Sequence, residues 1–125
     1  MTTGDKIENS DFLEFTLASQ WWGKNMKDAP HENVFLFMKS LIVRLYERCK
    51  DHWYPDDPSR GSGYRAIVND YYVDSILIEA CRDAKIHPNR LPGQIVQIIS
   101  PGIVRVRSLN NDKEEIIYKK NYKSE

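Results

Sequence analysis

Apolar residues at four-residue spacing open the chain. Leu13, Leu17 and Trp21 form one stripe, and Phe12, Phe15, Ala18 and Trp22 form a second, offset stripe. The period is helical, and two stripes cover more of a helix than one core face needs. Either this helix is wedged between two layers, or its second stripe meets a partner. In the second case the pair Trp21-Trp22 at its end is a candidate for contact with another copy of the chain. Asn9 or Ser10 can cap the helix, with Asp11 and Glu14 suited to its positive end. Residues 1–8 are polar and read as flexible. Gly23 to Pro30 breaks the pattern, and DAPHEN then supplies the start signals of another helix. From Val34 to about Cys49, the set Val34, Met38, Leu41 and Leu45 runs beside Phe35, Ile42 and Tyr46. This second helix is long and central, and the short link predicts that it lies antiparallel to the first.

Further along, Tyr64 to Val68 is a short strand candidate. Asp74 caps a third helix, with Val73 and Ile78 at the two positions of a hydrophobic staple. The face predicted to be buried is Ile76, Leu77, Ala80, Cys81 and Ala84. Pro88 to Leu91 can add one turn. From Gln94 the period changes from four to two: QIVQII, a Pro101-Gly102 break, IVRVR, an LNND turn and EEIIYK. Val104 and Val106 alternate with Arg105 and Arg107, as in a meander of three strands. Helices first and strands last predict an α+β domain: two long N-terminal helices plus shorter ones, packed on a small, mostly antiparallel sheet. Residues 1–125 form one domain, with 119–125 as a tail.

Composition narrows the function. Lys+Arg and Asp+Glu both number 18, so no basic excess draws the domain onto nucleic acid. Tyr64-Arg65, Arg105 and Arg107 could stack single-stranded RNA, but residues half on a core and half in water explain them better. Cys49 and Cys81 each sit in a helical apolar pattern and read as buried free thiols, which suits a reducing compartment. The N-terminal segment lacks the apolar run of a secretory signal, and no stretch is long and apolar enough to span a bilayer. The expectation is an intracellular soluble domain without membrane contact. His31, His52 and His87 have no ligand spacing among them, so no metal is expected. The adjacent Asp56 and Asp57 are turn chemistry. The GSG of 61–63 lacks the end of a phosphate loop, and no serine or cysteine is framed as a nucleophile. No cofactor and no catalysis are expected.

One stretch resists this reading. HWYPDDPSRGSGYR, residues 52–65, crowds prolines, glycines and aromatics into a segment that cannot bury itself through ladder hydrogen bonds. It resembles the first signature box of the Tob/BTG anti-proliferative family, approximately HWFPxxPxKGSGYRCI, placed after a long helix. His52, Trp53, Pro55, Pro58, Gly61, Ser62, Gly63, Tyr64, Arg65 and Ile67 match without a gap. Tyr54 and Arg60 are mild variants, and Ala66 stands at the family's Cys. A second box, approximately LPSELTLWVDPYEVSYR, is similar to LPGQIVQIISPGIVRVR of this chain. Leu91, Pro92, Pro101, Val104 and Arg107 hold its register, whereas Ile98 replaces the Trp, Ser100 the Asp and Gly102 the Tyr.

The resemblance implies a non-catalytic adaptor. It would bind the catalytic subunit of a poly(A) deadenylase, connect it to RNA-binding regulators, and so alter mRNA decay, proliferation or cell fate. The implied compartments are the cytoplasm and also the nucleus. The implied contact positions are Tyr64, Ile98 and Ser100, with Pro101 and Gly102 beside them. A divergent member that self-assembles as a scaffold of RNA–protein particles is the alternative. His52, Trp53, Pro55, Pro58, Gly61, Gly63 and Arg65 are the structural part of the motif, with Trp53 and the prolines folding the loop over the helices and the glycines permitting close approach. Trp53→Ala is therefore expected to cost about 3–5 kcal/mol as a core truncation. An equilibrium denaturant melt measures this, and a loss below about 1 kcal/mol would remove Trp53 from the core.

Overall fold

The computed structural model describes residues 12–120. The cap expected at Asn9 or Ser10, Asp11, and the segment 1–8 lie outside the described residues. Three α-helices are present within 12–120: α1 (Phe12–Lys24), α2 (His31–Cys49) and α3 (Ser75–Ala84). Four strands, β1 (Ala66–Asn69), β2 (Ile95–Ser100), β3 (Ile103–Ser108) and β4 (Glu114–Lys119), form one sheet in that order. Every neighbouring pair is antiparallel. The α+β expectation therefore holds.

Alternation along β2 and β3 explains which side of the sheet is covered. Ile95, Gln97 and Ile99, then Val104 and Val106, face the helices, and β1 adds Ile67. Helix α1 packs on β2, β3 and β4 on one side and on α2 on the other. It is the middle layer, but this position accounts for only one of its two stripes, that of Phe15, Ala18 and Trp22. Phe15, Ala18 and Trp22 are buried, while Trp21 is half-buried and Leu13 is exposed. Trp22 donates its indole N–H to Gln97 Oε1 at 2.8 Å, and Gln97 donates in turn to the Ala18 carbonyl at 3.1 Å. A buried polar pair is thereby satisfied at the centre of the helix–sheet seam.

Several boundaries differ from the expectation. Gly23 belongs to α1, where a Cβ would come within 2.7 Å of the Met38 sulfur, so it marks a close crossing with α2. The buried line of α2 is Phe37, Leu41, Leu45 and Cys49; Val34, Met38, Ile42 and Tyr46 flank it, and Phe35 faces solvent. Residues 62–65 form a 3-10 turn, so the first strand begins at Ala66, not at Tyr64. Lys119 ends β4, and the Lys120 N–H reaches the Gly102 carbonyl at 2.7 Å, so the expected tail starts later than 119.

Helix α3 follows its sequence closely. Asp74 caps it by accepting from the Ile76 N–H at 3.2 Å, and Ile76, Leu77, Ala80, Cys81 and Ala84 are all buried. Arg48 of α2 holds the same Asp74 carboxylate through both of its terminal nitrogens, at 2.9 and 2.6 Å. The extra turn is Pro88–Arg90.

Cys49 and Cys81 are both buried and unpaired. Burial pushes the Cys49 thiol up to about 12 and the Cys81 thiol up to about 11, from an ordinary 9.0. The folded state thus holds both protons where the unfolded chain releases them. Their contribution to stability is complete below pH 9.0 and falls as pH rises through 11 and 12. Two measurements check this. A thiol reagent at pH 8 should modify both residues only at the rate of unfolding, and the denaturation midpoint should drop on the alkaline side of pH 9.0.

Candidate protein-docking surface around the arginine-anchored loop

The crowded stretch 52–65 wraps around one guanidinium. Arg65, in the 3-10 turn, is fully buried. Its Nε donates to the His52 carbonyl at 2.9 Å. One terminal nitrogen donates to the Ile99 carbonyl and to the Ser100 hydroxyl, the latter at 2.9 Å. The other donates to the carbonyls of Pro58 at 2.8 Å and Arg60 at 2.6 Å. All the donors that a guanidinium offers are used. Three of the four carbonyls, those of His52, Pro58 and Arg60, come from a loop that has no ladder of its own, so the side chain supplies what the irregular backbone cannot. The guanidinium also lies 5.8 Å from the centre of the Trp53 ring. No carboxylate among the described residues pairs with it, and burial lowers its pKa from the ordinary arginine value.

Trp53 is fully buried against Phe15, ring centres 5.1 Å apart. The prolines act differently from the expectation: Pro55 is exposed and Pro58 half-buried, so the apolar burial belongs to Trp53 and the prolines shape the backbone. The glycines also divide. Gly61 has a φ of 74°, and a Cβ there would meet the Tyr54 ring at 3.2 Å, whereas nothing lies within 4 Å of a Cβ at Gly63.

Tyr64 projects outward. It is 60% exposed, yet its ring lies flat on His52, centres 3.7 Å apart and 3° from parallel. Arg60 covers the Tyr54 ring at 4.3 Å in the same loop. Ile98 is half-buried on the open face of the sheet, paired across to Ala66 and Arg105. With Val96, Arg105, Arg107, Leu109 and Glu114 it lines a shallow hollow of about 190 Å³.

The remaining expected contact positions point elsewhere. Ser100 is only 2% exposed and its hydroxyl accepts from Arg65; Pro101 and Gly102 are buried too. The Gly102 N–H donates to Glu14 Oε2 at 2.8 Å, so Glu14 is a buried link between α1 and the β2–β3 turn, beyond any role at the helix end. Nothing in the spacing of Glu14 announces this partner, 88 residues away. Trp22 is inside the core and Trp21, half-buried, packs edge-on against it at 5.1 Å, so of the pair expected at a self-association contact only Trp21 keeps open surface. Among the described residues, no group of three or more His, Cys, Asp or Glu could hold a metal ion.

A helix-backed antiparallel sheet, with an anchored loop that displays an aromatic ring, defines an α+β domain of the BTG/Tob fold. A solved C. elegans FOG-3 BTG/Tob domain shares this fold with a TM-score of 0.78 at 20% identity, over 86% of this chain and 90% of that one. The family model for the BTG family matches residues 13–118, and the chain belongs to that family. A Dictyostelium discoideum BTG family protein is 42% identical over 81 residues, 62% of this chain and 19% of that protein. Rat Protein BTG3 is 44% identical over 55 residues (42% of this chain, 22% of BTG3), and human Protein Tob1 is 30% identical over 71 residues (57% of this chain, 21% of Tob1). The chain thus spans about a fifth of the length of these curated relatives.

Replacing Arg65 with Met keeps the volume and removes every donor. Four carbonyls and a hydroxyl then lie near an apolar side chain, and the expected cost is at least about 3 kcal/mol. Ser100→Ala removes one bond to a charged donor and should cost about 1–2 kcal/mol. Ser100→Asp places an anion beside the buried cation and should not lower stability. Denaturant melts of the three variants check that order.

Proposed function

We propose that this domain is a non-catalytic adaptor that regulates mRNA fate through protein–protein contact. Its partner on the Tyr64 side is the catalytic subunit of a poly(A) deadenylase, and RNA-binding regulators connect that complex to its targets. An anti-proliferative outcome follows from this reading. The observation that carries it is Tyr64: an aromatic ring held flat on His52 and still open to solvent, beside the sheet face that displays Ile98. A pre-ordered ring of this kind is a good anchor at an interface.

Contact with a family-type deadenylase is weakened in this chain. Ile98 retains apolar area but lacks the reach and the donor of the family's Trp. Ser100 lacks the family's carboxylate, and its hydroxyl is engaged inward with Arg65. The aromatic position therefore governs affinity, and a carboxylate at 100 would meet Arg65 before it met a partner. An aromatic anchor contributes about 2 kcal/mol or more, so Ile98→Trp should tighten binding on the order of 30-fold. Tyr64→Ala should weaken what binding there is by a similar factor. Calorimetry with a purified deadenylase subunit reads both. Nanomolar binding by the unmodified domain, unaffected by Ile98→Trp with or without Ser100→Asp, would place the contact surface elsewhere.

A further inference from the structure

The loop between β1 and α3 carries two rings that the fold does not use. Tyr71 is 93% exposed and Tyr72 is 87% exposed. The loop is nonetheless well tied. Asn69 and Val73 form a bridge, the Asp70 N–H donates to the Tyr72 carbonyl at 3.3 Å, and the Asp74 N–H donates to the Val68 carbonyl at 3.0 Å. One end continues from β1, and the other is Asp74, the α3 cap clamped by Arg48. The backbone is ordered before any partner arrives, so two large rings can be engaged at little cost in entropy.

The charged side chains of the loop itself are acidic, Asp70 and the cap Asp74. From Ala66 to Cys81 the sequence contains no Lys or Arg. The Asp74 carboxylate is taken by Arg48, whereas Asp70 enters no ion pair among the described residues. Together with Val68 and Val73 these residues line a shallow concavity of about 380 Å³. Two ring faces next to a free carboxylate suit a guanidinium, which stacks on the rings and pairs with the anion. The same charge repels a phosphate backbone.

We infer that the Asp70–Tyr72 loop is a docking site for an arginine-containing basic segment of a partner protein. The site is separate from Tyr64: the two lie at opposite ends of β1, whose four residues span ~13 Å. An adaptor with one partner at each end of this strand can hold both at once. The inference stands on this loop alone and does not require a deadenylase at the other end.

The probe is a fluorescein-labelled peptide of Arg-Gly-Gly repeats, with its Lys and Glu counterparts, read by fluorescence anisotropy. The Arg peptide should bind best, the Lys peptide more weakly, and the Glu peptide not at all. Tyr71→Ala combined with Tyr72→Ala should weaken Arg-peptide binding about ten-fold, and Asp70→Asn about three-fold. Unchanged melting of both variants would show that they fold, since these side chains lie outside the core. No binding at millimolar Arg peptide overturns the inference, as does equal affinity of the native and double-variant proteins. Salt-steep binding of oligouridine that the double variant loses would instead assign the rings to RNA.

Discussion

A single buried cation organises the distinctive part of this domain. Arg65 has lost its water and has no carboxylate opposite it among the described residues, a state that is unfavourable unless every donor is used. The structure meets that condition with carbonyls from both sides: His52, Pro58 and Arg60 from the loop, and Ile99 with the Ser100 hydroxyl from the end of β2. The requirement is mutual. Without the guanidinium, the loop carbonyls would be buried beside nothing that donates. Without the loop, the guanidinium would be an unsatisfied charge next to Trp53. Loop, 3-10 turn and strand end are therefore one cooperative unit.

That unit explains how an irregular segment can present a fixed surface. The Trp53 ring points into the core, and Tyr64, one residue before the anchor, points out and stacks on His52. Rigidity in a loop lacking ladder hydrogen bonds comes from the Arg65 side chain together with successive turn bonds, from the Asp57 N–H to the Tyr54 carbonyl and from the Arg60 N–H to the Asp57 carbonyl. The same geometry separates two kinds of motif residue. Arg65, Trp53 and Gly61 build the scaffold, while Tyr64 is left for a partner. Ser100 belongs to the scaffold as well. At a position where the family's Asp would place a charge, the hydroxyl serves the scaffold.

Much of the architecture was legible in the chain. The α3 face and cap, the extra turn after it and the alternation of β2 and β3 follow from local spacing, because their neighbours along the chain already determine which side is buried. The register of α2 was read less well. Its apolar residues surround most of the helix, and the expected set held Phe35 and omitted Phe37; packing against α1 and α3 buries Phe37 and leaves Phe35 in solvent. Gly23 looked like a break, yet it is a point of close contact with Met38. A glycine signals either need with the same letter.

The sequence by itself determined the elements, their order, the α+β class and the family, since these depend on local period and on a motif whose residues are contiguous. Only the tertiary structure decided what each ambiguous residue does. Trp22 could have been a contact residue, and Gln97, 75 positions away, made it a core residue by accepting its indole proton. Glu14 could have been a helix-end charge, and Gly102 made it a buried acceptor. The physical reason is common to both cases. The worth of a polar atom depends on whether a partner reaches it, and those partners lie far along the chain, where no spacing rule extends.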